Sequence, residues 1–97
     1  MNTETGLVEQ ITSTLRGADH AIELSQWAAA NVLLKRGLAE MGDRYARATT
    51  IDDSGMKLVL ADMEDQKGNP QAASAIRRRV LAERLSQLRE KSAGAAR

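Results

Sequence analysis

Between His20 and Tyr45 one set of positions recurs at alternating intervals of four and three: His20, Leu24, Trp27, Asn31, Leu34, Leu38, Met41 and Tyr45. A heptad spacing sustained over more than three repeats suits a helical stripe and is out of phase with the two-residue period of a strand. It predicts one long helix over residues 19–48, capped by Asp19, with the stripe turned toward other helices. Asn31 falls at the same heptad position as Leu24, Leu38 and Tyr45. A polar residue at one such position sets register and strand number at some cost in stability. Two arrangements satisfy this pattern. Either copies of the chain, or the chain and a partner, meet along Leu24, Trp27, Asn31, Leu34, Leu38, Met41 and Tyr45, or the stripe packs inside a monomeric bundle. Gly37 and Gly42 each weaken such a helix by roughly 1 kcal/mol relative to Ala and admit a close neighbour or a bend.

Shorter segments flank it. Val8, Ile11 and Leu15 predict a helix over 5–16, with Gly17 closing it. Residues 53–66 read as a helix with Met56, Val59, Leu60 and Met63 on one narrow face and Asp52 and Asp53 near its N-terminal dipole. The alternative there is a short β-hairpin over 49–60, which would be marginal in water by itself. Asn69 followed by Pro70 is a capping residue before a proline at the first helical position, and it opens a helix over 70–92. Residues 93–97, small and polar, read as a flexible tail. The expected fold is therefore all-α: one domain over 1–92, a small helical bundle with a long central helix, oligomeric if the first arrangement holds.

Composition limits the chemistry. With one Trp, one Tyr and no Phe in 97 residues, the core rests on aliphatic side chains and Met. So thin a core favours self-association or a permanent partner. The absence of Cys rules out disulfides and thiolate metal sites. His20, the single histidine, lies on the heptad stripe and has no partner at catalytic or ligating spacing. The acidic run from Asp62 to Asp65 reads as a solvated helix face, and Ser13 and Thr14 have no base at a recognisable spacing. The seven glycines are scattered singly, so no phosphate loop forms. These features argue against an enzyme and predict no catalytic residue, cofactor, metal or small-molecule substrate. No apolar run approaches the roughly 20 residues of a membrane span, and the chain is expected in the cytoplasm. Arginine outnumbers lysine ten to four and alanine is abundant, a bias common in GC-rich bacterial or phage genes.

Charge is unevenly placed. Residues 1–69 carry seven Lys/Arg against eleven Asp/Glu, and residues 70–97 carry seven against two, a net of −4 followed by +5. The basic segment holds Arg77, Arg78, Arg79, Arg84, Arg89 and Lys91, enough to contact several phosphates in a salt-dependent way. A small DNA-binding regulator or packaging factor is thus one reading. The stretch "GNPQAASAI" resembles part of a helix-turn-helix through Gly68, Asn69, Ala72, Ala73 and Ile76. Its alanine pair comes one residue early, however, and Arg77 stands where the turn glycine belongs, so the helix is expected to continue.

Helical geometry at about 100° per residue divides the arginines. Arg77 and Arg84 fall between an apolar stripe of Ala73, Ile76 and Val80 and another of Leu81, Leu85 and Leu88. Arg78 and Arg89 flank the second stripe, and Arg79 points away beside Glu83 and Glu90. Such a helix fits between two neighbours, its arginine stems lying on apolar surface. Asp62, Glu64 and Asp65 are the natural acceptors. The preferred expectation is a helical protein–protein interaction module: an adaptor, chaperone-like or assembly component, or a protein-binding inhibitor.

Overall fold

The computed structural model describes the backbone of residues 3–48 and 54–95 and the side chains of residues 6–42 and 55–90. Among them are α1 (Thr3–Glu23), α2 (Trp27–Ala48), α3 (Ser54–Gln66) and α4 (Pro70–Ala95), and no strand. Residues 56–60, one arm of the alternative hairpin, are helical, while residues 49–53 lie outside the described part. Helix α4 runs three residues past the expected end at 92.

The first two helices divide elsewhere than the sequence suggested. Instead of 5–16 and 19–48, α1 continues through Gly17 to Glu23 and α2 starts at Trp27. Leu7, Ile11, Ala18 and Ala21 form a buried stripe that passes Gly17 without interruption. A Cβ at Gly17 would make ordinary contact with Leu33 Cδ1 at 3.4 Å, so this position faces α2 from inside α1 and is not a stop. Asp19 is correspondingly not a cap but an interior residue of α1.

The stop lies at Ser25, whose φ of 57° is left-handed. Gln26 N donates to Ala21 O at 2.8 Å and Ser25 N to Ile22 O at 2.9 Å, the paired bonds of a Schellman ending. Serine is an unusual residue for that conformation, which is why no glycine signalled it. The heptad pattern is therefore shared by two helices: His20 belongs to α1, Leu24 to the turn, and Trp27 to Met41 to α2. At Gly42, α2 leaves helical geometry (φ 29°, ψ −120°), so its regular stretch ends before Tyr45.

The α3–α4 connection follows its sequence signals. Gly68 takes φ 78°, Asn69 N donates to Glu64 O at 2.9 Å and Gly68 N to Asp65 O at 3.0 Å. Asn69 Oδ1 then accepts from Ala72 N at 3.3 Å and caps α4, with Pro70 in the first helical position.

Cross-helix contacts define the topology. Asp19 with Arg78 and Thr12 with Arg89 run α4 antiparallel to α1. Asn31 with Arg77 and Gly37 against Leu81 run it parallel to α2. Asp62 with Arg77 and Lys57 with Glu83 run α3 antiparallel to α4. The main core joins α1, α2 and α4 through Leu7, Ile11, Ala18, Leu34, Met41, Leu81, Leu85 and Leu88. Gly37 lets these helices converge: a Cβ there would meet Leu81 Cδ2 at 2.9 Å and Thr14 Cγ2 at 3.4 Å. Among the described residues the backbone of α3 packs on α4 alone, outside this three-helix core.

A candidate interaction face and the arginine node behind it

Arg77 is among the largest fully enclosed side chains of the protein, 2% exposed. Its Nη1 donates to Asn31 Oδ1 at 2.8 Å and its Nη2 to Asp62 Oδ1 at 2.7 Å, and Nη2 also pairs with Asp65 Oδ2. The Asn31 amide is used at both ends, since Nδ2 donates to Pro70 O at 3.0 Å. A single guanidinium thus joins α2, α3 and α4. Burial opposes its charge, yet the hydrogen bonds to Asp65 and Asp62 and the attraction of their charges together outweigh that effect and raise the Arg77 pKa. The hydrogen bond from Arg77 holds Asp65 below the usual carboxylate range, against the smaller opposing effect of burial. Lys35 Nζ on α2, 3.6 Å from Asp65 Oδ2, adds to this. Arginine suits the position because its planar fork serves several acceptors with one fixed charge.

The other arginines divide as the helical angles require. Arg78 grips Asp19 with two bonds, Nε to Oδ1 at 2.6 Å and Nη2 to Oδ2 at 3.3 Å, and this hydrogen bonding raises its pKa. Arg89 Nη2 donates to Thr12 Oγ1 at 2.7 Å, so both flanking arginines serve α1. Arg79 points outward and donates to Glu83 Oε1 at 3.2 Å, one turn along its own helix. Arg84 is half-buried and also has a partner. The Lys91 side chain lies outside the described residues.

The heptad residues are dispersed. Leu34 and Met41 are enclosed in the core, and Asn31 is 6% exposed within the arginine node. Trp27 and Leu38 are half-buried, Leu24 sits exposed in the turn, and the Tyr45 side chain is not described. The buried members pack within the chain, and Asn31 holds helices of one molecule in register. This role was invisible locally because its partner Arg77 lies 46 residues away.

Helix α3 presents its broader apolar row outward. Met56 is 66% exposed, Val59 52%, Leu60 48% and Met63 45%, spaced as one helical face. The side that docks on α4 carries Ala61, fully buried, with half-buried Leu58 and Asp65. Charge and size explain this orientation. Asp62 and Asp65 must reach Arg77, and the small Ala61 lets α3 approach α4 closely. Turning the Met/Val/Leu row inward would carry both aspartates away from their cation. The sequence signal for a second apolar arc on α3, Leu58 with Ala61, was present but weak.

Among the described residues no helix is long and apolar enough to cross a membrane, and no group of three His, Cys, Asp or Glu side chains is placed to hold a metal ion. Fold and surface together define an all-helical protein with a self-paired arginine helix and an outward apolar helix face. The chain matches no protein-family model, no curated protein and no solved structure.

Proposed function

We propose that the protein is a helical protein–protein interaction module, of the adaptor, chaperone-like, assembly or inhibitor kind, and that it engages its partner through the outer face of α3. The observation that carries this reading is the row Met56, Val59, Leu60 and Met63, about half or more exposed on a helix that docks on α4 through Ala61, Leu58 and Asp65 instead. Contiguous exposed apolar patches on small proteins commonly mark interaction sites. Internal acceptors for Arg77, Arg78, Arg79 and Arg89 support the same reading, because these charges already have a structural use.

A photo-crosslinking residue at Val59, introduced in expressing cells, tests it, with the same residue at the exposed Ser86 as control. A discrete protein adduct at position 59 and none at 86 is the expected result; no adduct at either position overturns the proposal. The competing DNA reading draws on the +5 net charge of residues 70–97. Micromolar binding to a random duplex, with affinity falling steeply as salt rises, would favour it.

A further inference from the structure

The outer row of α3 reads almost the same in both directions: Met56, two residues, Val59-Leu60, two residues, Met63. Its centre lies between Val59 and Leu60. A twofold axis through that point, perpendicular to the helix, sets Met56 of one copy against Met63 of the other and Val59 against Leu60. An isologous interface requires this reciprocity, in which residue i meets j and j meets i.

Charge is self-complementary about the same axis. At about 100° per residue, Lys57 and Glu64 lie on one flank of the row, about 20° apart, while Asp62 lies on the opposite flank. In an antiparallel pair related by the twofold, like flanks lie on the same side. Lys57 of one copy then comes within about 3 Å, along the axis, of the level of Glu64 in the other. The contact occurs twice. A parallel pair would bring unlike flanks together and separate Lys57 from the nearest carboxylate, Asp62 of the second copy, by about 7.5 Å along the axis. Within one chain Lys57 Nζ lies 3.8 Å from Glu83 Oε2, while Glu64 accepts from Asn69 Nδ2 at 3.1 Å and lies 3.5 Å from Lys67 Nζ, so the contact between copies is made in addition to these pairs. Access is open as well, because among the described residues the α3 backbone packs on that of α4 alone and Met56, Val59, Leu60 and Met63 stay about half or more exposed.

The geometry points to a second copy of this chain as the occupant of the α3 face, in a twofold dimer with the two α3 helices antiparallel. This rests on the reading of the chain as an interaction module and names its partner. The interface is small, so the association is weak, with Kd on the order of 10–100 µM.

Sedimentation of the full chain across that range is expected to show the average mass rising toward a dimer. Leu60→Glu, on an exposed side chain outside the core, is expected to abolish the rise while leaving circular dichroism and Tm in place. Lys57→Glu and Glu64→Lys are each expected to weaken the dimer about fivefold, and their combination to return it to within about twofold of wild type. Orientation is read separately, since the chain has no native cysteine. Oxidising a mixture of Met56→Cys and Met63→Cys chains is expected to give the mixed disulfide in preference to either homodisulfide. A monomer throughout the range, a dimer indifferent to Leu60→Glu, or a preference for homodisulfides overturns the inference. If the chain is monomeric but crosslinks a different protein at position 59, only the self-association falls. If it also forms no adduct, the interaction reading falls with it.

Discussion

Arg77 is the residue on which α2, α3 and α4 converge. Removing its side chain vacates an enclosed site and leaves the buried Asn31 amide without its partner, while Asp62 and Asp65, with side chains 67% and 30% exposed, are rehydrated, a cost of about 2 kcal/mol. Arg77→Ala is expected to lose about that much in urea unfolding, whereas the exposed Arg79→Ala is expected to lose less than about 0.5 kcal/mol. Asp65 makes the node pH-dependent. Its folded pKa lies below the unfolded value of about 3.9, so its stabilisation is complete above that pH and disappears as pH falls through the folded pKa. Asp65→Asn is therefore expected to flatten the acid limb of the stability profile below about pH 4, as followed by chemical unfolding at a series of pH values. Gly37 is constrained by shape. Its missing Cβ would press on Leu81 within a filled core, so Gly37→Ala is expected to destabilise by about 1 kcal/mol net despite its better helix propensity. Gly55→Ala, where a Cβ meets nothing within 4 Å, is expected to stabilise by up to about 1 kcal/mol. Thermal unfolding distinguishes the two.

At the scale of elements, the two helix hairpins show which local signals are sufficient. The α3–α4 turn was legible because each residue is the preferred one for its conformation: Gly68 left-handed, Asn69 capping, Pro70 first in the helix. The α1–α2 turn was not, because Ser25 occupies the left-handed position while two more conspicuous glycines sit inside helices. Gly37 is there for helix–helix approach, a reason that exists only once the neighbours are in place, and Gly17 is simply an interior position of α1 facing Leu33. Ser25→Gly is accordingly expected to stabilise the protein by about 1 kcal/mol, by relieving a left-handed conformation in a residue that bears a Cβ. Helix α3 differs from the other three in lacking a share of the main core. Its amides are expected to exchange with deuterium at a lower opening free energy than those of the central turns of α4, and native-state exchange measures that difference directly.

At the scale of the whole molecule, the uneven charge of the chain becomes internal order. The acidic first part and basic last part meet along α4, with Asp19 on one edge and Asp62 and Asp65 on another. The sequence by itself determined the helical class, the α3–α4 connection and the division of arginines around α4, since all three depend on the 3.6-residue period and on contacts within a few residues. It also contained the near-palindromic row of α3, without indicating which way the row would face. Tertiary structure alone decided where α1 ends, that the buried heptad residues pack within the chain, and that the apolar row of α3 turns outward. These outcomes depend on partners far apart in sequence, Asn31 with Arg77 and Asp19 with Arg78. An apolar period shows that a face exists, while the pairing of distant charges and the close approach of small residues select the face that becomes interior.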